Sequence, residues 1–462
     1  MTSPGLPADD LDRVLGWVRE PLEELRGGRL FLSGGTGFIG QWLLASLLHA
    51  DSALGLGLEV VVLTRDPASF RRRAPDLAAH PAVELWPGDV RWFEYPKGEF
   101  THVVHAAADT SAGAAEQPLR LLDTVVGGTR RMLEFASLCG ARRFLFVSSG
   151  AVYGELPADP ALVPEGFPGG PDPADPRSAY GEAKRLAEQL CALHTRDSLV
   201  PAVVARGFAF VGPLLPLDAH FAVGNFIRDA LSGDAIRVRG DGTPVRSYLY
   251  AADLSAWLLA LLVRGIPGRT YNVGSDRAIT IGELARRVAE TLAPGKPVVV
   301  APATASTGAR SRYVPSIARA REELGLEVWT DLPDALRRTA EWCRSRGAVP
   351  ADVPAAAATF VPRTFVIDVD GVLATLSPGN DYALAAPLPR NIEAVNRLHD
   401  AGHRIVLFTA RGTVTGLDWR AVTEAQLREW GLRYHELVFG KPAADYYVDD
   451  RMLPVDALRQ MA

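Results

Sequence analysis

Apolar residues recur over positions 1–28 at helical spacing, with Leu11, Val14, Leu15, Val18, Leu22 and Leu25 on one side and acidic residues between them. The pattern predicts a surface helix packed on the domain that follows. Short apolar runs come next, at 29–33, 59–63, 83–85, 102–106, 144–148 and 202–205. Amphipathic stretches of helical period separate several of them, including 38–49, 121–137 and 179–194. Strand-length apolar runs alternating with helical periods predict a parallel sheet covered on both faces. After Gly207 the rhythm loosens, and 214–243 and 280–331 read as helices with short strands, a smaller lobe.

Two segments break the rhythm. Residues 155–177 are rich in Pro, Gly and Asp and predict a long loop, a kind of segment that often carries function. Residues 348–362 (AVPADVPAAAATFVP) repeat Pro and Ala with little charge, a linker composition. A second strand–helix series starts beyond it, with strands expected at 364–368, 404–408, 436–439 and 446–448. The expected division is a helix over 1–28, an α/β domain over 29–347, a linker over 348–362 and a second α/β domain over 363–462.

Composition narrows the functional classes. A chain of 462 residues with 48% hydrophobic and 22% charged residues is long enough for two or three soluble domains. The formal charge of −5 gives no basic excess to drive binding to nucleic acid. Three scattered cysteines, Cys139, Cys191 and Cys343, form neither a disulfide framework nor a zinc spacing. The apolar stretch 256–263 is far shorter than the roughly 20 residues of a membrane span. Without a signal-peptide pattern at the start, the expectation is a cytoplasmic protein that uses no membrane.

The first expected strand runs into Gly34-Gly35-Thr36-Gly37-Phe38-Ile39-Gly40. Glycines 34, 37 and 40 serve a tight turn, a close approach of pyrophosphate to the backbone and close helix–strand packing, and the helix then aims its N–H groups at the phosphates. The strand before and the helix after make this a dinucleotide site. The second strand ends in Thr64-Arg65, where an acidic residue would hold the adenosine ribose; Arg65 suits a 2′-phosphate, while Asp66 keeps NAD open beside NADP. Asp89 and Val90 follow the next strand at the adenine end, and Ala106, Ala107 and Ala108 are small enough for a cofactor to lie on backbone.

Ser149 ends another expected strand, and Tyr180 and Lys184 stand one helical turn apart on a shared face. An ammonium beside a phenol stabilises the phenolate and makes it a usable base, with Ser149 bonding the reacting oxygen. His105, His403, His435, Trp257, Trp329 and Trp342 read as structural or packing residues.

With GGTGFIG (34–40), HAAAD (105–109), SSGAVYG (148–154), YGEAK (180–184) and RGDGTPVRSYLYAADL (239–254), residues 29–345 resemble extended short-chain dehydrogenases/reductases of the nucleotide-sugar epimerase/dehydratase family. The resemblance implies a Rossmann-type doubly wound sheet with a small substrate lobe, a nucleoside-diphosphate-sugar substrate, pyrophosphate binding by Arg246 and a homodimer. Departures narrow the reaction. Gly150 and Ala151 replace the acidic pair of 4,6-dehydratases, and Ala151 replaces the glutamate of uronate decarboxylases. Ala209 and Val125 stand where the family carries asparagines. What remains is oxidation at a sugar hydroxyl with return of hydride to the other face, which is epimerisation, or a net ketone reduction.

In the second half Asp368 and Asp370 leave the end of an apolar strand, Thr409 ends the next, Lys441 follows Gly440, and Asp449-Asp450 end a further run. Parallel strands would bring these groups to one sheet edge, where crowded carboxylates call for a cation; hard oxygen donors suit Mg²⁺. Through DVDGVL (368–373), FTARG (408–412) and FGKPAADYYVDD (439–450) this half resembles small capsule-biosynthesis phosphatases of the haloacid-dehalogenase superfamily without a large cap. That resemblance implies Asp368 as nucleophile, Asp370 as acid/base, Thr409 and Lys441 on phosphoryl oxygens, and Mg²⁺ held by Asp368, Asp370, Asp449 and Asp450. The expected substrate is a sugar phosphate.

Overall fold

The computed structural model describes residues 5–107, 117–156, 161–219, 221–301, 311–346, 364–376, 381–400, 402–413 and 416–441. The chain divides into two compact units, 1–355 and 356–462.

The first unit is built on a parallel sheet. Its strands are β1 (Arg29–Ser33), β2 (Glu59–Thr64), β3 (Val83–Pro87), β4 (His102–His105), β5 (Arg143–Ser149), β6 (Ala202–Gly207) and a seventh, Thr270–Val273. Across the sheet they run Thr270–Val273, β6, β5, β4, β1, β2, β3. This is a doubly wound Rossmann order, and strand order reverses between β1 and β4, where such sheets bind ligands.

The runs are continuously apolar because both faces are covered. Leu30, Leu32, Val60, Val62, Leu145 and Val147 pack on one side, while Phe31, Val61, Val103, Phe144 and Phe146 pack on the other. Helices Phe38–Leu54 and Ala251–Arg264 feed the first core, and Pro118–Leu138 and Ala179–Arg196 the second. Helix Ala251–Arg264 contains the apolar stretch 256–263 and is buried from Ala251 to Val263, which explains its all-round hydrophobicity. No described helix is long and apolar enough to cross a membrane.

The single N-terminal helix expected from periodicity is two, Ala8–Trp17 and Arg19–Glu23. Pro21 lacks the N–H that an unbroken helix would send to the Trp17 carbonyl, and the chain turns at Val18. Asp10 is fully buried; its carboxylate accepts from the Tyr250 hydroxyl at 2.6 Å and from Arg338 at 3.0 Å. Trp17 stacks on Trp329 at 4.6 Å.

The smaller lobe holds helices Ala222–Ser232 and Ile281–Leu292, the latter started by a capping box of Thr280 and Glu283. In a three-stranded ribbon the pair Val245–Arg246 lies between Ile279–Thr280 and Arg312–Tyr313.

Among its described residues the second unit has three parallel strands, Thr364–Ile367, Arg404–Thr409 and Glu436–Phe439, with Arg404–Thr409 in the centre. Helices Pro389–Asp400 and Arg420–Glu429 accompany them, and Ile367, Val395, Ile405, Leu407 and Leu427 share its core. The strand expected at 446–448 lies outside the described residues.

Candidate active sites

The glycine turn lies beside the reversal in strand order. Gly34 has φ +76°, and a Cβ there would come within 2.5 Å of Ala106, the residue after β4. A Cβ on Gly40 would lie 2.1 Å from the Gly34 carbonyl, so helix and turn pack backbone to backbone. A Cβ on Gly37 would meet nothing closer than 3.5 Å. Gly37 is thus the open position of the three and caps the helix that starts at Phe38 and Ile39. This cradle fits a dinucleotide pyrophosphate.

Beneath it Ser33 and His105 are paired across β1 and β4 and joined by a 2.8 Å hydrogen bond. Thr129 donates to the Val125 carbonyl at 2.7 Å, so its oxygen takes the His105 Nε2 proton at 3.1 Å and Ser33 donates to Nδ1. His105 is therefore structural.

At the ribose end Thr64 is buried and Arg65 exposed. Asp66 is spent on the next helix, accepting from the Ser69 N–H at 2.8 Å. Asp89 is clamped by Arg91 at 2.9 and 3.1 Å, and Val90 is a core residue against Gly128. Ala106 and Ala107 lie at the cradle, and Ala108 lies outside the described residues.

Ser149, Tyr180 and Lys184 come together. A Cβ on Gly181 would meet the Ala151 carbonyl at 2.6 Å; its absence lets helix Ala179–Arg196 close on the turn Gly150–Tyr153. That closure brings Tyr180, next to Gly181, to the turn that follows Ser149. Ser149 accepts from the Ala151 N–H at 3.2 Å, while Ser148 is bound to Glu188 at 2.6 Å, leaving Ser149 as the site hydroxyl.

Lys184 is buried, donates to the Val147 carbonyl at 2.8 Å and stands 6.0 Å from the centre of the Tyr180 ring. Burial lowers its pKa to about 8 against the pull of Glu188. Burial also raises the Tyr180 phenol, and Ser149 works against that rise.

Tyr313 belongs to the same site, and sequence reasoning missed it. It pairs with Arg246 across the small ribbon and packs on Phe208 with ring centres 4.6 Å apart. Its hydroxyl lies 3.5 Å from the Gly207 carbonyl, and Gly207 is paired with Ser149 across β5 and β6. A Cβ on Gly150 would fall 2.7 Å from that hydroxyl, so Tyr313 fills the space a larger residue 150 would need. Arg246 donates to the Val245 and Ser311 carbonyls and stands 5.9 Å from the centre of the Tyr313 ring.

In the second unit the strand ends gather Asp368, Thr409 and Lys441. Lys441 is ion-paired with Asp368, and its N–H donates to the Thr409 carbonyl at 3.2 Å. Asp370 is gripped at 2.7–3.1 Å by Arg411, whose side chain is fully buried and also reaches Thr423 and Gln426. Arg411 was absent from the expected set, although it sits in FTARG. Asp449 and Asp450 lie outside the described residues. Among the described residues no three acidic, His or Cys side chains cluster, and both described aspartates are matched by a cation of the chain itself.

Comparison with known proteins places the first unit. Residues 30–274, over half of the chain, match the model of the NAD dependent epimerase/dehydratase family. The chain is 32% identical over 319 residues to UDP-glucuronic acid decarboxylase 1 of Arabidopsis thaliana, covering 69% of this chain and 70% of that one. It is 32% identical to UDP-glucuronic acid decarboxylase 3 of the same plant, over 70% of this chain and 91% of the relative. Among solved structures, UDP-glucose 4-epimerase of Thermotoga maritima with UDP-glucose aligns with TM-score 0.57 and 25% identity, over 69% of this chain and 99% of that one. dTDP-glucose 4,6-dehydratase of Streptomyces venezuelae, with NAD bound, aligns with TM-score 0.60 and 25% identity, over 70% and 99%. By sequence, by strand order and by the glycine cradle, the chain belongs to the NAD dependent epimerase/dehydratase family of enzymes.

Proposed function

We propose that the first unit epimerises a nucleoside-diphosphate sugar through a keto intermediate. The observation that carries the reading is the Ser149–Tyr180–Lys184 set beside a turn whose Gly150 and Ala151 carry no acid. A bound nicotinamide dinucleotide supplies hydride acceptance and return. Tyr180 takes the proton of a sugar hydroxyl, Lys184 favours the phenolate, and Ser149 holds the sugar oxygen. Without a carboxylate at 150–151 the site has no group there to move protons at neighbouring carbons, which separates it from dehydration and decarboxylation. Arg246 is the pyrophosphate contact in this reading.

UDP-glucose, UDP-glucuronic acid and dTDP-glucose, each incubated with the full chain and followed by NMR, test it. An epimer without net change in nicotinamide absorbance is expected, and Tyr180→Phe abolishes it. Loss of carbon dioxide or water from the sugar would overturn the reading. One observation favours net ketone reduction instead: Arg65, exposed at the ribose end, suits NADP, and reduction would consume it.

For the second unit we propose a phosphomonoesterase of haloacid-dehalogenase type acting on a sugar phosphate. Support comes from Asp368, Thr409 and Lys441 at one sheet edge. Asp368 attacks phosphorus, Thr409 and Lys441 hold phosphoryl oxygens, and Asp370 serves the leaving alcohol. Mg²⁺, held by Asp368 and Asp370 with Asp449 and Asp450, would offset phosphoryl charge. A cytoplasmic homodimer completes the proposal.

A further inference from the structure

One helical turn beyond Lys184, on the face that carries Tyr180, stands Glu188. Its carboxylate accepts from the Ser148 hydroxyl at 2.6 Å and from the Arg206 guanidinium at 2.6–3.1 Å. Arg206 pairs with Ser148 across β5 and β6, and both side chains of the ion pair are largely buried. We propose that Glu188 is a positioning residue that acts on Tyr180 through Lys184. Paired with Arg206, it presents a fixed negative charge to the ammonium and keeps that ammonium charged beside the phenol. The inference rests on the reading of Tyr180 as the base.

The bonds fix the order of the charges. Lys184 donates to the Val147 carbonyl and lies 4.6 Å from the centre of the Phe146 ring, so it stands over β5. Glu188 is bonded to Ser148, the next residue of the same strand. Residues four apart on a helix have Cβ atoms about 6 Å apart. Arg206 comes from β6, on the side of β5 away from β4, and its guanidinium lies 4.7 Å from the centre of the Tyr153 ring. The carboxylate is thus the end of the ion pair nearer Lys184. Its bonds to Ser148 and Arg206 leave it one orientation, and burial leaves little solvent to screen it.

Among the described residues the other titratable groups around Lys184 are Tyr180 and Cys191 on its own helix and His105 on β4. Burial lowers His105 to about 3 and raises the Cys191 thiol, so neither carries charge near neutrality. Glu188 and Arg206 are the charges left to set the ammonium, and Glu188 works against the burial that would strip its proton.

The test is an NMR titration of the full-length chain carrying lysine labelled at Cε. Its lysines are Lys97, Lys184, Lys296 and Lys441, and Lys184 is assigned by its loss in Lys184→Met. In Glu188→Gln, which keeps an acceptor for Ser148, Lys184 should release its proton about one pH unit lower than in the natural chain. In Arg206→Gln, which frees the carboxylate from its cation, release should come at higher pH. A brace that only held the helix would move Lys184 the same way in both. The double variant Glu188→Gln/Arg206→Gln, whose amides can bond each other, should lower the value and serves should a single variant misfold. An unchanged Lys184 titration in Glu188→Gln and in the double variant overturns the proposal. So does a fall in Arg206→Gln. Failure of the base reading is seen separately, as sugar conversion that survives Tyr180→Phe.

Discussion

The Lys184 ammonium donates to the Val147 carbonyl at 2.8 Å, tying the helix that carries Tyr180 to β5 two residues before Ser149. Burial lowers its pKa to about 8 from 10.5. Between those values the folded chain has released this proton and the unfolded chain has not. Stability from this site therefore rises with pH across the window, and below about pH 8 the cost of burying the charge is fully present. The cost is roughly 3 kcal/mol. Lys184→Met should lose that alkaline rise in urea denaturation and also lose nearly all sugar conversion. Equal slopes for both proteins between these pH values would contradict the assignment.

Arg65 predicts cofactor choice. Asp66 caps a helix through one carboxylate oxygen and Asp89 is clamped by Arg91, whereas Arg65 is exposed at the end of β2. Calorimetric titration should give tighter binding of NADP than of NAD. Arg65→Ala should cost about tenfold for NADP, equivalent to about 1.4 kcal/mol, and little for NAD. Preference for NAD in the natural chain would refute this.

The Asp370–Arg411 pair predicts a stability defect in the second unit. Arg411→Met leaves the partly buried Asp370 without its cation and should destabilise that unit by about 3–5 kcal/mol, read by chemical denaturation. Hydrolysis of an aryl phosphate with added Mg²⁺ should vanish in Asp368→Asn while folding is kept. Turnover that survives that substitution would remove Asp368 from the chemistry.

Asp10 anchors the N-terminal helices. Asp10→Ala leaves Tyr250 and Arg338 without their shared acceptor and should lower first-unit stability by about 3 kcal/mol, measured by urea midpoint. A change below about 0.5 kcal/mol would mean the helix docks by its apolar face alone.

The sheet and the glycine cradle were legible because each depends on neighbours in sequence. Apolar runs mark β1–β6, and Gly34, Gly37 and Gly40 fall inside one turn. Tyr180 and Lys184 were legible for the same reason, one helical turn apart. Tyr313 was not, since it reaches the Gly150 turn only through pairing of two-residue strands distant in sequence. Arg411 escaped because its role depends on a carboxylate 41 residues earlier. The Asp89–Arg91 pair was not legible either, because it forms only when Arg91 folds back on the turn after the strand. The break at Val18 hid beneath a helical periodicity that continues through it, although Pro21 carried the signal.

The His105 imidazole has one further consequence. Enclosed between Ser33 and Thr129, it is driven by burial, with a contribution from Lys184, to a pKa of about 3. The floor under the dinucleotide thus keeps one electrostatic potential from mildly acid to alkaline solution. A bend in a rate profile over that range therefore does not report His105, whose charge is constant there.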